Sequence, residues 1–184
     1  MFWKLIGLLS SYHNRPDLAH AVGELGQFNS NPGPGHWKVV LKYLKGTADL
    51  GLTYGPPNPD SQCMLQAYCD ANYAGDEDRR WSTTGYAFFI GGAAISWSSK
   101  QQPTVATSSS DAEYMAANFA GREAMWLRQL LTELGYHIPK LTIYCNNQPA
   151  IAVSKNLEHH SRIKHIDVMY HWLREKVENV INLF

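Results

Sequence analysis

The sequence predicts an α/β domain, built from a mixed β-sheet flanked by helices and preceded by a small helical segment. Alternating apolar and polar residues between positions 65 and 99 indicate three consecutive strands, with Gly91-Gly92 as a hairpin turn. A long stretch with helical spacing follows, and then a further alternating stretch. Consecutive strands followed by strand–helix alternation are typical of a mixed sheet covered by helices.

The first 46 residues favour helices. Pro16 fits the first turn of a helix, and Asp17 suits its positive N-terminal end. Apolar residues then recur at helical spacing as far as a turn cluster at 29–35. A second helical stripe ends at Gly46, a residue that commonly closes helices.

A proline-rich segment at 55–60 divides the chain. It contains three prolines and one glycine, so it has little capacity for helix or strand. We therefore predict two parts, a helical segment at 1–54 and an α/β domain at 61–184.

The α/β part begins with a strand that ends on Asp70. Two more strands are predicted at 84–91 and 94–99, and a long helix runs from Ser109 or Ser110 to about Leu134. The stripe of this helix that is predicted to face the core comprises Ala112, Met115, Ala116, Phe119, Leu127, Leu130, Leu131 and Leu134.

The remaining elements alternate. A fourth strand is predicted at 140–146, and a short helix begins at Pro149. Apolar residues from Ile166 to Val177 recur at helical spacing, and residues 180–184 (VINLF) resemble the start of a strand. The segments Tyr-Cys-Asp-Ala-Asn (68–72) and Tyr-Cys-Asn-Asn-Gln (144–148) also echo one another at two strand ends, where sites gather in α/β folds.

Composition excludes several classes of protein. The chain has 16 basic and 16 acidic residues, so no overall positive charge points to nucleic acid. Three cysteines without a Cys-x-x-Cys pair argue against a disulfide scaffold or a zinc ribbon. No apolar run has the roughly 20 residues that a membrane span needs. We expect an intracellular protein, in the cytoplasm, the nucleus or an intracellular particle, that is neither secreted nor in a membrane.

Asp70, Glu113 and position 146 are the candidate chemical centre. Asp70 ends the first strand, Glu113 lies in the first turn of the long helix, and residue 146 ends a later strand. If the two strands are neighbours, the three side chains meet at one sheet edge, where clustered carboxylates prefer hard cations such as Mg²⁺. Two alternatives stay open: Glu113 could complete a capping box with Ser110, and Asp70 could be an ordinary turn residue.

Four segments of the α/β part form a specific set: AYCDANYAGD (67–76), the stretch at 79–117, LTIYCNNQPAIAVSKN (141–156) and HSRIKHIDVMYHWLREKVEN (160–179). Together they resemble the ribonuclease H domain in the polyprotein of copia-type LTR retrotransposons. The helical part resembles the end of the reverse transcriptase that precedes this domain, through NRPDLAHAV (14–22), SNPGPGHW (30–37) and YLKGT (43–47).

The resemblance implies a ribonuclease H-like fold at 61–184 and a reverse-transcriptase remnant at 1–54. It also implies cleavage of the RNA strand of an RNA–DNA hybrid by two Mg²⁺ ions. Asp70 and Glu113 match the first two acidic positions of the family, whereas Asn146 stands where the third should be aspartate. The fourth position lies in a motif beyond residue 184, so the domain is expected to be truncated; Asp167 is a rival for that role.

The resemblance therefore implies a catalytic and metal-binding set of Asp70, Glu113 and Asn146 that is impaired, because an amide carries no full charge. Asn72, Ser109 and Asn147 are predicted to contact the hybrid through its ribose hydroxyls and backbone, although both asparagines could equally be caps. The expected partners are the hybrid and the remainder of the reverse transcriptase polyprotein. The alternatives are a non-catalytic nucleic-acid-binding fragment and a non-functional transposon relic.

Overall fold

The computed structural model describes residues 15–28, 33–55, 65–76, 78–155 and 164–184. The chain divides into two units, with the boundary between Tyr54 and Gly55. Within the described residues, no helix combines the length and the apolar character that crossing a bilayer requires.

The first unit is helical. A 3-10 turn at Pro16–Leu18 leads into α1 (Ala19–Gly26), and α2 spans Pro34–Gly46. Buried apolar side chains from the 3-10 turn and both helices form its small core: Leu18, Val22 and Val40, with Leu25 and Leu44 packed against them.

Arg15 connects the 3-10 turn to Thr47, the residue that follows α2. Its guanidinium forms two hydrogen bonds with the Asp17 carboxylate, at 2.9 and 2.8 Å, and donates to Oγ1 of Thr47 at 2.7 Å. The bond from Arg15 lowers the pKa of Asp17 below its usual value, because the guanidinium stabilises the ionised carboxylate.

The second unit contains a five-stranded sheet. Its strands are β1 (Gln66–Asn72), β2 (Thr83–Ile90), β3 (Ala93–Gln101), β4 (Leu141–Cys145) and β5 (Ile181–Leu183). They lie in the order β3-β2-β1-β4-β5. The pairs β1–β2 and β2–β3 are antiparallel, whereas β1–β4 and β4–β5 are parallel. This arrangement confirms the predicted mixed sheet.

Among the described residues, three helices accompany the sheet: α3 (Ser109–Glu133), α4 (Gln148–Lys155) and α5 (Lys164–Asn179). Ala67 and Cys69 of β1, Ile143 and Cys145 of β4 and Ile181 of β5 point into the same core. Apolar side chains of all three helices join that core. Because side chains alternate along a strand, residues 68, 70 and 144 belong to the opposite face.

The predicted core stripe of α3 was partly wrong. Leu130 and Leu134 are exposed by 37% and 64% of their surface. The buried side is instead rich in small residues, notably Ala117, Ala120, Gly121 and Ala124. A Cβ at Gly121 would lie 3.1 Å from Cδ1 of Leu173, so the small side permits a close helix approach that a leucine side would prevent.

A row of aromatic rings crosses the face of the sheet opposite the core. Tyr68 and Tyr144 are stacked, with ring centroids 5.2 Å apart and an interplanar angle of 26°. Phe89 meets Tyr68 edge-on at 5.9 Å, and Phe184 lies 6.5 Å from Tyr144. The row therefore links β2, β1 and β4 to Phe184, the residue that follows β5, through ring contacts.

Candidate active site at the ends of two parallel strands

The two echoing segments lie side by side in the structure. β1 and β4 pair in parallel with Tyr68 opposite Tyr144 and Cys69 opposite Cys145. Asp70 and Asn146 directly follow the last of these pairs. The predictions that Asp70 ends the strand or belongs to a turn are wrong, because β1 continues to Asn72 through its pairing with β2. The similarity of the two sequences thus corresponds to matched positions on neighbouring strands.

Asp70 and Asn146 are in direct contact. Nδ2 of Asn146 donates a hydrogen bond of 3.3 Å to Oδ1 of Asp70, and both residues are exposed. The bond places a neutral donor against one oxygen of the carboxylate.

Glu113 lies on α3 beside this pair, and it does not cap the helix. The cap is Ser108, whose hydroxyl accepts a 3.1 Å hydrogen bond from the backbone N–H of Asp111. The capping box between Ser110 and Glu113, one of the two alternatives above, is therefore wrong, because the helix begins two residues earlier than that box requires. Glu113 is buried, and its Oε2 has no hydrogen-bond partner among the described residues.

The pKa of Glu113 is raised from 4.5 to about 7, chiefly by burial and then by the negative charge of Asp70. Both effects disfavour the ionised form, the first through lost hydration and the second through repulsion between like charges. Such a carboxyl group ionises more readily when a cation lies beside it, so the local electrostatics suit a positively charged ligand.

Cys69 and Cys145 form a contacting thiol pair directly beneath the site. The hydrogen bond between them raises the pKa of the Cys69 thiol, which retains its proton. The same bond lowers the pKa of Cys145 to about 7, because it stabilises the thiolate. Both thiols are free and buried. The two cysteines come from different strands, so no Cys-x-x-Cys motif in the sequence predicts this pair.

Asp76 organises the loop between β1 and β2. Its Oδ1 accepts hydrogen bonds from the backbone N–H groups of Asp78 and Arg79, at 3.0 and 2.8 Å. Its Oδ2 accepts a further bond of 3.0 Å from Gln101. These bonds lower the pKa of Asp76, and they fix the backbone beside the exposed Arg79 and Arg80. An Asp two or three residues before the backbone N–H groups that it binds is a recognisable turn signal, so the sequence alone could have revealed this arrangement.

The predicted substrate-binding residues lie around the same end of the sheet. Asn72 ends β1 and is exposed, and its carboxamide rests against Gly75 so closely that a Cβ there would overlap it. Ser109 is the exposed first residue of α3. Oδ1 of Asn147 accepts a 2.8 Å hydrogen bond from the backbone N–H of Ala150, so this side chain caps the start of α4.

The side-chain oxygens of Asp70, Glu113 and Asn146 are the candidate donors for a hard cation. They come from two carboxylates and one carboxamide, which is the chemistry that Mg²⁺ prefers. Across the part of the chain that the structure describes, no group of three or more His, Cys, Asp or Glu side chains could hold a metal ion. The side chain of Asp167, the rival fourth ligand, lies outside the described residues.

Comparisons with known proteins identify the family. The chain is 49% identical over 168 residues to the retrovirus-related Pol polyprotein from transposon TNT 1-94 of Nicotiana tabacum, which covers 90% of this chain and 12% of that protein. It is 44% identical over 171 residues to the Pol polyprotein from transposon RE2 of Arabidopsis thaliana, again over 90% of this chain. The chain belongs to the retrovirus-related Pol polyproteins of transposons.

This transposon Pol chain spans about an eighth of the length of the polyproteins that it matches. It is also 49% identical over 116 residues to the secreted RxLR effector protein 161 of Plasmopara viticola, over 80% of that protein. No protein-family model matches the chain.

One solved structure matches the transposon Pol chain along its whole length. It is the foamy viral protease-reverse transcriptase in complex with dsDNA, with a TM-score of 0.54 and 9% sequence identity over 37% of that chain. At this identity the likeness shows the fold alone. The fold of the second unit is ribonuclease H-like, as the mixed sheet and the family indicate.

Proposed function

We propose that this chain carries an RNA–DNA hybrid endoribonuclease domain whose hydrolytic activity is weak. One observation supports this most directly: two carboxylates and a carboxamide, from Asp70, Glu113 and Asn146, lie together just beyond the point where the parallel pairing of β1 with β4 ends. The end of a parallel pair is a usual position for sites in α/β folds.

Asp70, Glu113 and the carboxamide oxygen of Asn146 would hold a divalent cation. When bound, Mg²⁺ supplies positive charge that stabilises the charge developing on a phosphodiester during hydrolysis. The buried Oε2 of Glu113, which lacks a partner among the described residues, fits this role. Because the pKa of Glu113 is about 7, a Glu113 proton must leave before this carboxylate can act as an ionised ligand.

Asn146 is the reason to expect weak activity. A carboxylate at this position would add a full negative charge for cation binding, whereas an amide oxygen adds only a dipole. The amide also directs its N–H at Asp70, which occupies part of the acceptor capacity of that carboxylate. Both effects reduce the negative charge available to divalent cations.

A cleavage assay on a short RNA–DNA hybrid in Mg²⁺ tests the proposal. We expect turnover by the chain to be indistinguishable from that of Asp70→Asn, while Asn146→Asp increases cleavage by about tenfold or more, equivalent to about 1.4 kcal/mol of the barrier. Turnover that is already fast in the native chain and disappears in Asp70→Asn would show that the site is not impaired. No cleavage by Asn146→Asp, with hybrid binding intact, would contradict the hydrolytic assignment.

A non-catalytic role in nucleic-acid binding is the second candidate, and the hydrogen bond from Asn146 to Asp70 favours it. That bond satisfies Asp70 without a cation and leaves the surface intact for binding. Fluorescence anisotropy with a labelled hybrid separates the two roles. Binding that weakens when Arg79 and Arg80 are changed to glutamate, without cleavage by Asn146→Asp, would support the binding role.

A further inference from the structure

Cys69 and Cys145 are free thiols that lie opposite one another on neighbouring strands, where a disulfide bond could join them. The two residues are opposite one another in the register of β1 and β4, and their thiols are in hydrogen-bond contact. Neighbouring strands lie about 4.8 Å apart, which falls within the roughly 4.4–6.8 Å that separates the Cα atoms of disulfides. Joining the sulfurs therefore requires no large movement of the backbone.

A disulfide bond between these two cysteines would affect the candidate active site, because each cysteine is next to one of its residues. Cys69 immediately precedes Asp70, and Cys145 immediately precedes Asn146. A covalent link would fix the spacing of the two strand ends from beneath the site. Both sulfurs also belong to the main core, where they are exposed by 5% and 7%, so a bond would form inside the protein rather than between molecules.

We propose that Cys69 and Cys145 are a site of reversible disulfide modification, oxidised by a small disulfide such as oxidised glutathione. One cysteine thiolate attacks the glutathione S–S bond, which releases one glutathione and leaves a mixed disulfide on the protein. The second cysteine attacks the protein sulfur of that mixed disulfide, which forms the Sγ–Sγ bond and releases the second glutathione. Two electrons pass from the protein to the oxidant, and the two thiol protons end on two reduced glutathione molecules.

This proposal is independent of the proposed function, because it needs neither a cation nor a nucleic acid. It is consistent with a reducing compartment, where disulfides are usually transient and redox-sensing. The burial of both sulfurs predicts slow exchange, so oxidation should be followed to equilibrium.

The test uses the chain with Cys63→Ser, which removes the third cysteine, in buffers of rising oxidised-to-reduced glutathione ratio. Samples are acid-quenched, denatured, alkylated and weighed intact. We expect a species that has lost two hydrogen atoms, takes up no alkylating reagent and yields a non-reduced peptide pair linking Cys69 to Cys145. Dithiothreitol should return it to the doubly alkylated form. Two alkylated cysteines at every ratio would overturn the proposal.

Single variants supply the matched controls. Cys69→Ser and Cys145→Ser should each form only the mixed disulfide, with a gain in mass instead of a loss. Because these buried positions could affect folding, a second measurement uses the Cys63→Ser chain without further change. Phenylarsine oxide, which bridges adjacent dithiols, should bind one to one and block later disulfide formation. Absence of that binding would contradict the proximity on which the proposal depends.

Discussion

Asn146 and Asp70 face one another across 3.3 Å, joined by a hydrogen bond from an amide nitrogen to a carboxylate oxygen. This contact directly follows the parallel pairing of β1 with β4, in which Tyr68 is opposite Tyr144 and Cys69 is opposite Cys145. The contact is favourable in the absence of a cation, because a neutral donor meets a negative acceptor. It therefore predicts how the protein should respond when residue 146 carries a negative charge.

Replacing Asn146 with aspartate should destabilise the cation-free chain and make its stability depend on Mg²⁺. Two carboxylates then face one another in place of a hydrogen bond, at a cost of about 1 kcal/mol because both positions are exposed to solvent. Mg²⁺ should restore that loss by binding both carboxylates. The measurement is thermal unfolding of both proteins in a chelator and in millimolar Mg²⁺. Asn146→Ser is the control, since it removes the bond without adding charge. An Asn146→Asp melting temperature unaffected by Mg²⁺ would argue against a cation site.

Glu113 should make the cation-free protein less stable as the pH rises. Its pKa is raised from 4.5 to about 7, so its stabilising contribution is fully present below pH 4.5 and is lost as the pH rises through about 7. The difference of pKa corresponds to about 3 kcal/mol, an order-of-magnitude figure. Urea unfolding in a chelator at pH 5 and pH 8 measures it.

Glu113→Gln isolates this contribution, because glutamine has the same shape and no titration. The variant should lose most of the difference between pH 5 and pH 8 that Glu113 supplies. Equal pH dependence in both proteins would show that the carboxyl group is already solvated or ionised in the native state.

Gly75 should matter chiefly because Asn72 lies against it. A Cβ at position 75 would overlap the Asn72 carboxamide, so Gly75→Ala should displace that side chain at a cost of about 1 kcal/mol. In an Asn72→Ala background the same change should cost almost nothing. A double-mutant cycle on unfolding free energies measures the coupling. Equal costs in both backgrounds would place the strain in the backbone at Gly75.

Asp76 should protect the loop that carries Arg79 and Arg80. Asp76→Ala removes the acceptor for two backbone N–H groups and for Gln101, so we expect faster trypsin cleavage after these arginines. Asp78→Ala is the matched control, since the exposed Asp78 contributes only its backbone N–H to this network. Limited proteolysis followed by mass spectrometry locates the cuts. Similar rates in the two variants would show that Asp76 does not order the loop.

Periodicity located the strands and helices well, because each depends on a pattern within one segment. Strand alternation toward Asp70 and the helical spacing after Ser109 both correspond to real elements, β1 and α3. Spacing could not show which side of α3 packs closely. Leucines and alanines both recur on α3 at helical spacing. Which of the two sets is buried depends on how closely the sheet and Leu173 approach Gly121.

The site was only partly predictable, because its residues come from segments that are far apart in the sequence. The echo of Tyr-Cys-Asp and Tyr-Cys-Asn marked two strand ends, but only the pairing of β1 with β4 places Asp70 against Asn146. The thiol pair and the raised pKa of Glu113 depend on tertiary contacts, so one-dimensional spacing carries no signal for either. Local turn chemistry could have revealed Asp76, since both backbone N–H groups that its carboxylate binds lie within three residues.

The stacked rings of Tyr68 and Tyr144 carry a practical consequence. Two aromatic chromophores 5.2 Å apart at a 26° angle couple their ultraviolet transitions, and a fixed chiral arrangement of this kind produces a pair of circular dichroism bands of opposite sign. One ring comes from each strand, so the signal exists only while those strands are correctly aligned. The protein thus contains an intrinsic optical reporter of its own central pairing, readable in a stopped-flow instrument without any dye.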